Sequence, residues 1–168
     1  MTEEPTKPPT SEFVARLEAL WEKNRFVCVG LDPDLNKIPA SFNRNGAFTP
    51  GETIFLFNKD RIDRTAPFVC SFKPNSAFYE AQGNEGHWAL QQTIEYIHAN
   101  HPGIPVILDA KRADIGSTNE GYVTSAFDLL GADAITVNPY FGKEALEPFL
   151  RRGEKGVIVL ARTSNPGA

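Results

Sequence analysis

The segment Asp109-Ala-Lys111-Arg-Ala-Asp114 constrains the fold and function of this chain more than any other part of its sequence. It follows an apolar run, residues 104–108, which is typical of a buried strand. Side chains alternate along a strand, so Asp109 and Lys111 are expected to point the same way, roughly 7 Å apart. Asp114 lies beyond the predicted strand end, where a turn can return it to the same space. Two carboxylates around one ammonium at the end of a buried strand are costly to desolvate, which indicates a functional site.

Strand-like and helix-like segments alternate along the rest of the chain. Strands are predicted at residues 26–31, 66–72, 104–109, 134–138 and 156–161, and helices at 11–21, 49–64, 83–100, 117–130 and 143–150. The second helix has a complete start signal, with Thr49 as N-cap, Pro50 at N1 and Glu52 at N3 of a capping box. Because the helical connections are long enough for parallel crossovers, the pattern predicts an α/β fold with a parallel sheet.

Polar and charged residues collect where the predicted strands end. They are Asp32, Lys73, Asp109 with Lys111, Asn138, and Thr163 with Ser164. This asymmetry is typical of a (β/α)8 TIM barrel, whose active sites lie at the C-terminal face of the strands. A doubly wound open sheet is the alternative, but residues 30–33 lack the glycine-rich phosphate turn that often follows its first strand. We therefore predict the barrel.

The length of the chain bears on how much of a barrel it can form. A complete barrel has eight βα units in about 200 to 250 residues or more, whereas this chain has 168 residues and five predicted strands. Either the sheet is open, or the chain is the N-terminal part of a barrel, apparently truncated after about five βα units. We predict a flexible, proline-rich segment at residues 1–10, followed by one barrel domain at residues 11–168.

Composition excludes several classes of protein. Seventeen basic and twenty-one acidic side chains give a net charge of −4 with no basic stripe, which argues against a nucleic-acid partner. No apolar run approaches a membrane span, and the first ten residues lack the core of a signal peptide. Cys28 and Cys70 lie in strand-like runs, which indicates buried thiols in a reducing cytoplasm, and no Cys or His spacing indicates a metal site.

Five motifs in register resemble the orotidine 5′-phosphate decarboxylase family. They are Gly30-Leu-Asp32-Pro-Asp34, Phe72-Lys73-Pro-Asn75-Ser-Ala-Phe-Tyr-Glu80, Asp109-x-Lys111-x-x-Asp114, Val137-Asn-Pro-Tyr-Phe-Gly142 and Leu160-Ala-Arg-Thr-Ser164-Asn-Pro. They look most like the longer bacterial branch of that family, and the resemblance covers roughly residues 11–168. The Asp-x-Lys-x-x-Asp pattern alone is a weak signal, whereas five motifs in the same order are specific.

The resemblance implies cofactor-free decarboxylation of orotidine 5′-monophosphate to uridine 5′-monophosphate, a step of de novo pyrimidine biosynthesis. Lys111 would be the proton donor, and its ammonium would stabilise the negative charge that develops at C6 of the pyrimidine. Asp109 and Asp114 would keep Lys111 charged and positioned. Lys73 would complete the charge network and bind the ribose. No metal or other cofactor is implied.

The resemblance also implies binding residues and a partner. Asp32 would accept a hydrogen bond from a ribose hydroxyl, and Ser164 would contact the pyrimidine base. Asp114 and Thr118 would reach into the neighbouring subunit's site, which implies a homodimer with shared active sites. The loops that hold the phosphate in the family, after the sixth to eighth strands, have no counterpart in these residues. We therefore expect little activity and low stability from the 168-residue chain alone.

Two other functions remain open. A Mg²⁺-dependent sugar-phosphate lyase or synthase of the same barrel group uses a similar Asp-x-Lys-x-x-Asp loop to hold the metal and stabilise an enediolate. Activity that vanishes with a chelator would favour this enzyme, whereas the Phe72-Lys73-Pro-Asn75 motif argues against it. The second alternative is a truncated chain that is catalytically incompetent. A solvated salt-bridge loop is the non-functional interpretation of residues 109–114, and the accompanying motifs argue against it.

Overall fold

The structure is a computed structural model that describes residues 10–43 and 46–167. The segment predicted to be flexible, residues 1–10, lies outside the described residues except for Thr10. The helices and strands are α1 (Glu12–Trp21), β1 (Val27–Leu31), α2 (Pro50–Thr65), β2 (Val69–Pro74), α3 (Ser76–Glu80), α4 (Gly83–Asn100), β3 (Ile107–Arg112), α5 (Gly116–Val123), β4 (Ala134–Val137), α6 (Lys143–Leu150) and β5 (Gly156–Val159). None of the described helices has both the length and the apolar character needed to span a bilayer.

All strand pairs are parallel, and the strands lie side by side in chain order. β1 pairs with β2, and β3, β4 and β5 form a second ladder. Two isolated parallel bridges, Phe72–Val106 and Asn75–Asp109, join β2 to the β3 region. A doubly wound sheet reverses its strand order partway, whereas this sheet does not. The predicted (β/α) barrel fold is confirmed, and the described residues contain five strands, of which the first four are each followed by a helix.

Four of the five predicted helices agree with the structure to within one residue at each end. The fifth, predicted at residues 117–130, is α5 followed by a π-helical segment at Thr124–Leu129. α4 has the predicted bounds, and α2 begins with the predicted capping box. In that box, Thr49 Oγ1 accepts the Glu52 N–H at 3.2 Å, and the Glu52 carboxylate accepts the Thr49 N–H at 2.8 Å. Glu85 of α4 accepts a further hydrogen bond from Thr49 Oγ1 at 2.6 Å. This contact fixes the start of α2 against α4.

The predicted bounds of β2 and β3 are wrong at both ends, β5 ends at Val159 rather than at Ala161, and one short α-helix was missed. β2 begins at Val69 rather than at Ala66, because Ala66 still donates its N–H to the Ile62 carbonyl in the last turn of α2. β3 begins at Ile107 and continues to Arg112, so Lys111 and Arg112 lie within the strand rather than after it. The missed helix is α3, a single short helix that the Asn75 side chain caps.

The hydrophobic core lies between the edge of the sheet where the strands begin and the edge where they end. Helix and strand side chains that are completely or almost completely buried form one cluster between the sheet and the outer helices, including Ile54, Ile62, Ile94, Ile97, Val69, Phe72, Val106 and Ile135. A smaller cluster covers the N-terminal ends of β3 and β4, where Phe13 of α1 packs on Ile107 and Ala134. α1 therefore closes the N-terminal edge of this part of the sheet, and the C-terminal edge is left for a site.

A substitution at Gly156, the first residue of β5, tests how α1 packs against the sheet. A methyl group added there would overlap the ring of Phe13 and lie 2.7 Å from Ala134 Cβ. We expect Gly156→Ala to lower the free energy of unfolding by about 1–3 kcal/mol, as overpacking does. Urea unfolding measures this change. Gly121→Ala is the control, since a methyl group in α5 meets no atom within 4 Å. Equal effects of the two substitutions would contradict the proposed packing.

Candidate active site

The C-terminal edge of the sheet brings together residues from three strands. Lys73 of β2 is in register with Gly30 of β1, and Asp32 is the first residue after β1. Asp109 and Lys111 belong to β3. Parallel strands place these chain segments at one edge, as the sequence predicted.

Asp109 connects the two lysines of this edge. Lys73 Nζ lies 2.8 Å from Asp109 Oδ2, and Lys111 Nζ lies 2.6 Å from Asp109 Oδ1. The Asp109 side chain is 11% exposed, against 32% for Lys73 and 47% for Lys111. A nearly buried carboxylate therefore holds one ammonium on each of its oxygens, and both lysine side chains are partly exposed.

Hydrogen bonds determine the ionisation of this cluster. Burial raises the pKa of Asp109, but hydrogen bonds from Lys111, Lys73 and Thr136 outweigh it and lower the pKa to about 2. Burial lowers the pKa of Lys73, but its bond to Asp109 and the nearby charge of Asp32 outweigh that effect, so the pKa is raised overall. At neutral pH Asp109 is therefore an anion and Lys73 a cation, which keeps this ion pair intact.

An irregularity in β3 orients Lys111. Leu108 pairs with Ile135 and Arg112 with Val137, so residues 109–111 of β3 face a single residue of β4, Thr136. Lys111 has a left-handed backbone conformation with φ of +48°. Bulges of this kind redirect side chains and are common beside active sites. Simple alternation along the strand predicted the shared direction of Asp109 and Lys111, but the observed geometry arises from this bulge.

Thr136 is a site residue that sequence reasoning missed. Its Oγ1 lies 2.9 Å from Asp109 Oδ1 and 2.9 Å from the backbone N of Lys111, and the residue is 6% exposed. The segment 134–137 reads as an ordinary apolar strand, in which threonine is common. The sequence around it carries no further signal, because its role depends on the register between β3 and β4.

The structure does not bring Asp114 to Lys111 within one chain. The Asp114 carboxylate accepts the N–H of Ile115 at 2.7 Å, and its backbone N–H donates to Asn119 Oδ1 at 2.8 Å. Asn119 is completely buried and also donates to the Ala145 carbonyl. The loop after β3 is therefore held by Asn119 in a conformation that leaves Asp114 outside the Lys73–Asp109–Lys111 cluster.

Thr118 and Ser164 also lie outside the cluster of ion pairs. Thr118 is exposed in the first turn of α5, and Ser164 is exposed beyond the end of β5. Asp32 is exposed as well, although its charge acts on Lys73. The three residues follow the ends of β1, β3 and β5 along the chain, and their binding roles remain predictions.

A buried polar network supports the end of β1 next to Asp32. Tyr79 of α3 donates its hydroxyl to the Leu31 carbonyl at 2.9 Å, and Asn58 of α2 donates to the Tyr79 oxygen at 2.9 Å. Asn58 also donates to Thr93 of α4 at 3.1 Å. Burial raises the pKa of Tyr79, so the hydroxyl stays protonated. Three helices thereby fix the backbone that precedes Asp32, a role that the sequence did not reveal.

The donor set of the site does not suit a metal ion. Among residues 10–43 and 46–167, no group of three or more His, Cys, Asp or Glu side chains could hold one. Asp109 is the buried carboxylate of the site, and an ammonium group already occupies each of its oxygens. A cation would have to displace a lysine from Asp109.

The pKa of Asp109 predicts a dependence of stability on pH. Because its pKa falls from 3.8 to about 2 on folding, Asp109 contributes stability above pH 3.8 that is lost as the pH falls towards 2. We expect Asp109→Asn to be destabilised at neutral pH, because Lys73 and Lys111 lose their shared anion. The free energy of unfolding of this variant should also lack the contribution that the unaltered protein loses as Asp109 is protonated. Urea unfolding at pH 6, 4 and 2.5 measures the difference between the two proteins. A difference that is equal at all three values would contradict the lowered pKa.

Comparison with known proteins agrees with this geometry. The family described as "Orotidine 5'-phosphate decarboxylase / HUMPS family" matches residues 25–168. An orotidine 5′-phosphate decarboxylase from Cupriavidus taiwanensis is 52% identical over 156 residues, which are 92% of this chain and 55% of that protein. One from Dechloromonas aromatica is 50% identical with the same coverage.

Solved structures give the same result. The OMP decarboxylase of Leishmania donovani superposes with a TM-score of 0.78 at 40% identity, covering 92% of this chain and 55% of that one. The UMP synthase of the same organism superposes with a TM-score of 0.76 at 38% identity, covering 95% of this chain and 32% of that one. This chain spans about half the length of the curated relatives it matches. It belongs to the orotidine 5′-phosphate decarboxylase / HUMPS family.

Proposed function

We propose that this chain carries catalytic residues of an orotidine 5′-monophosphate decarboxylase, which forms uridine 5′-monophosphate in pyrimidine biosynthesis. The observation that carries the proposal is the Lys73–Asp109–Lys111 cluster at the C-terminal edge of the parallel strands. Relatives that bear this name share half of the sequence over 92% of the chain. The activity itself is the proposal, because the chain spans about half of their length.

Lys111 has the role that this reaction needs most. Loss of CO₂ breaks the bond between C6 and the carboxylate carbon and leaves the electron pair on C6. The Lys111 ammonium stabilises this charge as it develops, and one of its protons then passes to C6. The resulting amine recovers a proton from water. No electron acceptor is needed, since the substrate carbon is protonated rather than oxidised or reduced.

Asp109 positions both lysines for this chemistry. Each of its oxygens accepts one ammonium group, so its negative charge is offset from two sides. We propose that its main contribution is to hold Lys111 and Lys73 in place. Repulsion of the substrate carboxylate by Asp109 would be weakened by the same two ammonium groups.

The remaining predicted residues complete the proposal. Lys73 and Asp32 bind the ribose hydroxyls, and Ser164 contacts the pyrimidine base. Asp114 and Thr118 serve the site of a second subunit, which fits the absence of an Asp114–Lys111 ion pair in the described chain. The protein would then be a homodimer with shared sites. Both cysteines are free thiols, which supports the proposed cytoplasmic location, although Cys28 is exposed rather than buried as predicted and only Cys70 is buried.

A turnover assay tests the proposal. The purified chain, and a chimera that continues it with the remaining part of the Cupriavidus taiwanensis relative, are incubated with orotidine 5′-monophosphate, and uridine 5′-monophosphate is measured by chromatography. We expect turnover by the chimera and little by the chain alone, because remote binding groups contribute much of such catalysis. A chimera that shows a cooperative thermal transition but no turnover would contradict the proposal.

A chelator distinguishes the Mg²⁺-dependent alternative in the same assay. Turnover of orotidine 5′-monophosphate should be unchanged by EDTA, because Asp109 binds lysines rather than a metal. Loss of activity with EDTA and its return with added Mg²⁺ would favour the sugar-phosphate enzyme instead.

A further inference from the structure

We propose that Thr136 is a positioning residue that fixes the Lys111 backbone and the Asp109 carboxylate in a single arrangement. Its effect on turnover rests on the proposed function, whereas its effect on the geometry of β3 does not. The inference starts from the strand register, in which Thr136 is the single β4 residue opposite the three residues 109–111.

The bulge removes the ordinary backbone partner of Lys111. In a regular parallel ladder a strand N–H donates to a carbonyl of the neighbouring strand. Here the Lys111 N–H donates instead to Thr136 Oγ1 at 2.9 Å. Regular pairing resumes immediately afterwards, where the Asn138 N–H donates to the Arg112 carbonyl at 2.9 Å. The Thr136 hydroxyl therefore substitutes for one backbone acceptor at the point where the ladder is interrupted.

The direction of both hydrogen bonds of Thr136 is determined by its neighbours. Lys111 N–H can only donate, so Thr136 Oγ1 accepts from it. Asp109 is ionised and can only accept, so the hydroxyl proton points to Asp109 Oδ1 at 2.9 Å. The Lys111 ammonium donates to the same carboxylate oxygen at 2.6 Å. Backbone and side chain of Lys111 are thus joined through Thr136 and Asp109 in one closed ring of hydrogen bonds.

The backbone conformation of Lys111 needs such support. A left-handed conformation at a residue with a side chain is less favourable than the right-handed one, because the Cβ atom crowds the backbone. Residues with an unfavourable backbone conformation occur where contacts with the surrounding structure hold them in it, and they are frequent at functional sites. Among the contacts of Lys111, the bond from its N–H to Thr136 acts on the strained backbone itself. Loss of that bond should free the residue to relax and move its ammonium.

A matched threonine separates this role from ordinary burial. Thr53 of α2 is 5% exposed, against 6% for Thr136, and donates its hydroxyl to the Thr49 carbonyl at 2.9 Å. Thr53→Val and Thr136→Val therefore each remove one buried hydroxyl of the same size. Thr136→Ser keeps the hydroxyl at the site. If Thr136→Val does not fold, Thr136→Ala replaces it, because alanine cannot overpack the strand.

Amide hydrogen exchange and carboxyl titration by NMR test the inference on the chain itself. In Thr136→Val we expect the Lys111 amide to exchange at least about tenfold faster relative to the Ile135 amide of the same ladder. We expect the pKa of Asp109 to rise, because one of its three hydrogen bonds is lost. Thr136→Ser and Thr53→Val should change neither quantity. Unchanged Lys111 exchange and Asp109 titration in Thr136→Val would overturn the inference.

Turnover supplies the catalytic readout in the chimera described above. Thr136→Val should lower kcat by about tenfold or more while KM changes little, and Thr136→Ser should restore most of kcat. A kcat equal to that of Thr53→Val would overturn the catalytic part of the inference. If the unaltered chimera folds but does not decarboxylate its substrate, the proposed function fails. The exchange and titration results would then still decide whether Thr136 positions Lys111 and Asp109.

Discussion

Replacing Lys111 with alanine in the decarboxylating chimera should lower kcat by at least about 10³-fold. Two contributions are lost together. The ammonium no longer stabilises the charge that develops at C6, and no group at that position can donate the proton. KM should change much less than kcat, because both contributions act in the transition state rather than in substrate binding.

A second substitution separates the two roles proposed for Lys111. Lys111→Arg keeps a positive charge, but a guanidinium hardly gives up a proton. We expect it to recover little of the activity lost in Lys111→Ala if proton donation limits the rate. Lys23→Ala is the control, since Lys23 is exposed at the end of α1, near the N-terminal edge of the sheet. Steady-state kinetics of the three variants make the comparison, and near-normal kcat in Lys111→Ala would show that Lys111 is not the donor.

The sequence predicted the parts of the site that depend on topology. Asp32, Lys73 and Asp109 follow or end apolar runs, and parallel strands bring such positions to one edge. The chemical roles of these residues could be inferred because five motifs occur in the same order as in the family. The capping box at Thr49 and the bounds of α4 were predictable for a similar reason, since local signals determine them.

The sequence could not predict the parts of the site that depend on register and packing. The bulge in β3 exists only relative to β4, so neither the left-handed Lys111 nor the role of Thr136 has a local signal. Asn58 donates hydrogen bonds to Tyr79 and Thr93, which lie on two other helices and 21 and 35 residues further along the chain. The start of β2 was predicted too early, because Ala66 to Phe68 are apolar but continue the end of α2.

Mixing two inactive variants of the decarboxylating chimera should restore activity if the sites are shared between subunits. Asp114 does not pair with Lys111 in its own chain, and its carboxylate accepts the N–H of Ile115. A large loss of kcat in Asp114→Ala would therefore have to act on a partner's site. In a heterodimer of Lys111→Ala with Asp114→Ala, one site carries both substitutions and the other carries neither.

The recovered activity has an expected size and a matched control. Random pairing of equal amounts makes half of the dimers mixed, and one of two sites in each is intact, so about a quarter of the unaltered activity should return. Lys111→Ala mixed with Asp109→Ala should recover nothing, because Asp109 and Lys111 act in the same chain and each site keeps one lesion. Subunits are exchanged by dilution and reconcentration before kcat is measured. Recovery in neither mixture would show that Asp114 does not serve a second subunit.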